Sequence, residues 1–188
     1  MKIAKILTLL AITLLHTLFL AGCTSVQPVT TVNVANGIPM QLLLPTRDIA
    51  LTQKIHARYR EQQHTLIMQV QASPQQVVMA GLTPTGTRLF SLSFDGKTVE
   101  SWQSPLFTAP FDGSYVLADF ELATLDLAAL QRALPSGSSL TENTRGTIRE
   151  RILLNAQAMT VIRIEYDGHQ TRYCHLERDY CLQIEALP

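Results

Sequence analysis

Apolar side chains fall on every second position through much of this chain, the mark of strands with one face buried and the other wet. Ile49, Leu51, Ile55, Ala57 and Tyr59 share one face, with Thr52, Lys54, His56, Arg58 and Arg60 opposite. Leu66, Met68, Val70 and Ala72 repeat the pattern against Gln69 and Gln71. After a Ser73-Pro74 turn, Gln76 to Leu82 is nearly continuous apolar strand, and Thr83-Pro84-Thr85-Gly86 reads as a turn. Phe90, Leu92 and Phe94 share a face of the next strand, and Asp95-Gly96 is a hairpin signal leading to Lys97 to Trp102. These segments predict about five strands in a meander.

The period then changes. Val116, Phe120, Ala123, Leu127, Leu130 and Leu134 recur at three- and four-residue steps, an amphipathic helical face over Asp112 to Leu134. Thr124-Leu125-Asp126 divides it into two helices, with Asp126 or Thr124 as an N-cap. Strands return over Thr147 to Leu154, Met159 to Tyr166, His169 to Leu176 and Tyr180 to Leu187. The expected fold is mainly β with a helical insertion (α+β): a strongly curved antiparallel sheet, a half-barrel of about nine strands with helices across its concave face. Such a cup can hold a cavity.

The N-terminus has a different composition. Lys2 and Lys5 precede the apolar stretch Ile6 to Leu20, which ends in Leu20-Ala21-Gly22-Cys23. About 15 apolar residues fall short of the roughly 20 that span a bilayer, and the layout is that of a signal peptide. Leu-Ala-Gly-Cys resembles the bacterial lipobox, which implies cleavage of residues 1–22 and acylation of Cys23. The polar stretch 23–37 reads as a flexible tether, and 38–188 as one folded domain.

The chain carries 15 basic and 15 acidic residues, and losing Lys2 and Lys5 leaves a net charge of −2. No basic patch points to nucleic acid. With Cys23 used for lipid, Cys174 and Cys181 flank a short turn, Glu177-Arg178, that would place them opposite each other across a hairpin. An oxidising compartment favours a disulfide there. The rival reading, a metal site with His175, lacks a fourth ligand nearby. His56, His64, His169 and His175 are expected at the surface, as are Asp119 and Glu121, which lie off the Val116/Phe120 stripe. No Gly-x-Ser-x-Gly elbow, His-Glu-x-x-His or phosphate-binding loop is present, and no nucleophile, base and orienting group assemble. The expectation is a non-enzyme without cofactor or metal. Met68, Met79 and Met159 suit an adaptable lipid pocket but equally a plain core.

Two blocks, Gly81 to Leu92 followed by Phe94-Asp95-Gly96, and Tyr115 to Leu122 running on to Leu130 and Pro135, resemble an uncharacterised family of bacterial outer-membrane lipoproteins. That family is related to the LolA/LolB superfamily of periplasmic lipoprotein carriers and receptors, and its genes often lie beside those for aryl polyene lipid biosynthesis. In LolB-like proteins a turn projects an apolar residue toward the membrane. The matching turn here is Pro84, Thr85 and Gly86, with Thr85 in place of the leucine, a side chain that enters a bilayer far less readily. Thr24 after the acylated cysteine, where aspartate would favour inner-membrane retention, implies the periplasmic face of the outer membrane. The resemblance implies an outer-membrane lipoprotein that binds and transfers a lipid or acylated cargo, an aryl polyene lipid among the options. The expected cavity residues are Leu66, Met68, Val70, Phe90, Leu92, Phe94, Val116, Phe120, Leu127, Leu130, Ile162 and Ile164, with the helices as a movable lid. The alternative is a non-catalytic structural subunit of an envelope assembly with an envelope protein as partner.

Overall fold

The computed structural model describes residues 31–109 and 111–188. The leader, Cys23 and the first part of the tether therefore lie outside the described residues. Among the described residues twelve strands and two helices are formed, in the order β1 (Thr31–Ala35), β2 (Ile38–Gln41), β3 (Ile49–Tyr59), β4 (Gln62–Ala72), β5 (Val77–Leu82), β6 (Arg88–Phe94), β7 (Val99–Gln103), α1 (Gly113–Thr124), α2 (Leu127–Ala133), β8 (Ser139–Arg145), β9 (Ile148–Leu154), β10 (Thr160–Asp167), β11 (Gln170–His175) and β12 (Tyr180–Leu187).

Strands β3 to β12 make one antiparallel ten-stranded sheet in the order β7-β6-β5-β4-β3-β12-β11-β10-β9-β8. Two meanders of five strands are thus joined where the last strand pairs with the first, Tyr180 opposite Tyr59 and Leu187 opposite Thr52. The sheet is open, with β7 and β8 as its edges. Both edge strands are largely exposed and polar, which discourages pairing with another chain.

The curvature follows from what α1 touches. At its start, a Cβ on Gly113 would lie 2.7 Å from Ser101 Cβ on β7. At its end, the Leu122 and Leu125 carbonyls accept from Arg151 on β9. On a flat sheet those strands would stand eight spacings apart, roughly 38 Å. Twelve helical residues span only about 18 Å. The sheet must wrap around the helix, and α1 lies on its concave side.

The element order matches the expected pattern with two corrections. Residues 31–37, assigned to the tether, form β1 and the turn into β2, with Val32, Val34, Ile38 and Met40 buried. Asn36-Gly37 supplies the hairpin turn, Gly37 taking a positive φ of 72° that a side chain would disfavour. The second addition is β8, a polar strand whose single buried hydrophobic residue is Leu140.

The last hairpin is closed by the expected disulfide between Cys174 and Cys181, paired residues of β11 and β12 with Cα atoms 4.1 Å apart. Residues 176–179 connect the two strands. His175 is not at the surface: its side chain is buried and contacts the Val34 carbonyl at 2.6 Å. A carbonyl only accepts, so Nε2 carries the proton, and Nδ1 accepts from the Arg178 backbone N–H at 3.3 Å. Burial lowers the pKa of this ring, which keeps it neutral. One neutral imidazole thus fastens the N-terminal hairpin to the sheet.

Candidate functional site

Between α1 and the concave face of the sheet lies a cavity of about 700 Å³. The alternation of the central strands builds its walls. Ile55, Ala57 and Tyr59 of β3, His64, Leu66 and Met68 of β4, and Tyr180, Leu182 and Ile184 of β12 all point inward at every second position. Met79 and Phe90 extend the wall across β5 and β6, and α1 contributes Tyr115, Val116, Asp119, Phe120 and Ala123. Phe107 and Phe111, from the segment before α1, close one side. Their rings lie 5.6 and 4.7 Å from that of Phe90.

Four of the five exposed lining residues mark the mouth, and the fifth, Asp112, stands before α1. Arg58, Arg60, Glu177 and Asp179 are exposed, and they belong to the ends and turns of β3–β4 and β11–β12. By strand register the β5–β6 turn is toward this same end, since β5 runs back along β4 from Val77 opposite Ala72 to Leu82 opposite Ile67. That turn contains Pro84, Thr85 and Gly86, all exposed. The Thr85 hydroxyl is bonded to Thr83 at 2.9 Å, and Gly86 takes a positive φ of 92°. The three non-glycine residues with positive φ among the described residues, Arg60, Ala158 and Asp179, also sit in turns at this end.

Five of the expected cavity residues face this space: Leu66, Met68, Phe90, Val116 and Phe120. Val70, Leu92, Phe94, Leu130, Ile162 and Ile164 are instead buried in filled core, and Leu127 packs half-buried against it. Two elements fill the cup there. The start of α1 presses on Leu92, whose Cβ would be 3.5 Å from a Cβ on Gly113. The β1–β2 hairpin covers the region around Ile162, which pairs with His175. The inward faces of β3 and β12 and the phenylalanines before α1 were not among the expected residues. Their alternation was readable, but nothing local distinguishes a strand under a cavity from one under a filled core.

Asp119 and Glu121 are corrections as well. Asp119 is on the cavity wall and accepts the Tyr173 hydroxyl at 2.5 Å on one oxygen and the Tyr180 hydroxyl on the other. Burial pushes its pKa up to about 6 against the opposing pull of the two phenols and of Arg178. Burial and the adjacent carboxylate raise both tyrosines, so they remain protonated donors. Glu121, on another side of α1, is fully buried and accepts the Leu43 N–H at 3.1 Å, while its second oxygen has no partner. Burial holds its carboxyl well above the usual range. The N-terminal hairpin and the chain leading from it cover the side of α1 that periodicity left to solvent.

The far end of α1 is also fixed. Arg151, buried on β9, donates to the Leu122 and Leu125 carbonyls at 2.6 and 3.1 Å and pairs with Glu142 at 2.8 Å. It thereby caps the negative end of the helix. The Tyr166 hydroxyl donates to the Ala123 carbonyl at 2.8 Å, with the Arg149 guanidinium 3.7 Å over its ring. A helix tied this way is not a free lid.

His64 lies at the start of β4 near the mouth, and its Nε2 is buried without a partner. His56 and His169 are exposed, as expected. No three His, Cys, Asp or Glu side chains among the described residues cluster to hold a metal ion. Among them, too, no helix is long and apolar enough to cross a membrane.

The chain belongs to the family described as Protein of unknown function (DUF3261). The family model matches residues 50–188. That span holds every cavity-lining strand and both helices and omits the β1–β2 hairpin. No curated protein matches the chain.

Proposed function

We propose that the protein is a lipid-anchored periplasmic carrier that holds a lipid or acylated cargo in the cavity between the sheet and α1. In this reading it is related to LolA and LolB, is acylated on Cys23 at the periplasmic face of the outer membrane, and hands on its ligand without chemistry. An aryl polyene lipid is one such cargo. The observation that carries the reading is the cavity itself. Its volume of about 700 Å³ lies within the roughly 300–1,000 Å³ of small-molecule sites. Its middle is walled by Ile55, Leu66, Met68, Met79, Phe90, Leu182 and Ile184. A ligand hiding on the order of 300 Å² of apolar surface there would gain about 7 kcal/mol before the costs of association. The polar groups present fit binding better than catalysis: Asp119 is committed to two phenols, and the His64 Nε2 has no partner.

The test is native mass spectrometry with lipid extraction on a Cys23→Ala chain exported to the periplasm behind a cleavable leader. A stoichiometric acyl or polyene ligand is expected. Ala57→Trp, which projects a large ring into the cavity from β3, should lose that ligand with the fold intact. A protein that is always empty and takes up no fluorescent fatty acid would refute the carrier reading and leave an envelope interaction module.

A further inference from the structure

Polarity along the cavity is uneven. Its middle is apolar, and apart from Asp119 the charged lining side chains gather at the mouth and at Asp112, next to the start of α1. The carboxylates among them are largely engaged. Asp119 takes two phenols, Asp112 caps α1 through the Ser114 N–H at 2.8 Å, and Glu177 accepts the Asn36 N–H at 3.0 Å. Asp179 is exposed on its turn. The donors are less committed. The Arg178 side chain gives one bond, to the Asn33 carbonyl at 2.6 Å, and its guanidinium carbon lies 3.7 Å from the centre of the Tyr115 ring. A guanidinium carries five N–H donors, hydrogen-bond partners account for one of them here, and Arg178 forms no ion pair among the described residues.

His64 supplies the second donor. It is paired across the sheet with Ala57, which is paired with Leu182, so it stands on the concave face in the row just inside the mouth. Its ring contacts Phe107 edge-on at 6.2 Å, and its Nε2 is shielded from water without a partner. An unmet polar atom in such a place carries a standing cost that a ligand group can remove.

We infer that the cavity takes a single amphiphile tail-first, with an oxyanionic head, a carboxylate or a phosphate, hydrogen-bonded at the mouth by His64 and Arg178. This rests on the carrier reading and adds the class of ligand and its orientation. The apolar middle takes the chain, and the guanidinium takes the head at the mouth, with the imidazole turning its now covered Nε2 toward it.

The test compares cis-parinaric acid with its methyl ester, the same tail without the anion, on the unacylated Cys23→Ala chain in mildly alkaline buffer. The acid should bind on the order of tenfold tighter, the difference that one charge-assisted hydrogen bond implies. His64→Leu and Arg178→Gln should each bring that ratio toward one, with the ester measured on every variant as its own reference. His56→Leu, on the exposed convex face, should not alter it. Equal binding of acid and ester by the parent, or a ratio indifferent to both replacements, would overturn the head-group site while the cavity reading stands. Failure of both probes to bind would overturn the two together. Competition by lysophosphatidic acid against oleate then separates a phosphate head from a carboxylate.

Discussion

Asp119 should make the protein lose stability between mildly acidic and neutral pH, and Asp119→Asn should remove that loss. Its carboxyl titrates at about 6 in the folded chain against a reference of 3.8. The folded state therefore binds more protons than the unfolded one across that interval. Asp119's contribution to stability is fully present below the unfolded value and is lost as pH rises through about 6. The difference of about two pH units amounts to about 3 kcal/mol at neutral pH. Asparagine has the same shape and no charge. Its oxygen can still accept one tyrosine hydroxyl and its amide can donate to the other phenol, so its own cost is about 1 kcal/mol or less. Urea unfolding followed by circular dichroism, with the disulfide intact, should show the two proteins close in stability in acid. Above neutrality the variant should gain about 3 kcal/mol relative to the parent. Stability curves that run parallel from acid to mildly alkaline pH would refute the claim that burial outweighs the two phenol hydrogen bonds and Arg178.

Other perturbations probe what holds α1 and the sheet. Arg151→Met removes the donors to the Leu122 and Leu125 carbonyls and leaves half-buried Glu142 with Arg149 alone. A loss of about 3 kcal/mol is expected, read as a lower urea midpoint. Gly81→Ala would put a Cβ 2.3 Å from the buried Phe90 ring. The ring must shift within the cavity wall, so a loss of about 1–3 kcal/mol together with weaker uptake of a fluorescent fatty acid is expected. Replacing Cys174 and Cys181 by alanine opens a loop with a sequence separation of 7. The chain-entropy relation gives about 2.5 kcal/mol of lost stability, and reduction of the parent with a thiol should reproduce it.

Much of the sheet could be read directly because each strand carries its own period. In β4 and β6 every buried residue alternates with a wetter one, so position and face follow from the residues alone. β8 has no such signal. An edge strand needs few apolar residues, and Leu140 alone gives no period. The N-terminal hairpin failed for a different reason. Val32 and Val34 do alternate with Thr31 and Asn33, and Asn36-Gly37 is a turn signal. That short run follows polar residues that look like a linker, and its partner β2 has only four residues.

The error over α1 had a readable physical cause. Val116, Phe120 and Ala123 form a stripe, and taking that stripe as the only buried face left Asp119 and Glu121 to water. Yet Leu117, Ala118 and Leu122 also point away from it, and all three are buried. A helix apolar around most of its circumference must be covered on more than one side. Here the sheet covers one side through Tyr173, Tyr180, Tyr166 and Arg151, and the N-terminal hairpin with Leu43 covers another. Polar residues inside such a sandwich are forced to find specific partners, which Asp119 does fully and Glu121 only on one oxygen. The space left beside Asp119, where neither layer fills the cup, is the cavity. Its position thus depends on where the hairpin stops covering the sheet, a long-range fact that no strand's own period contains.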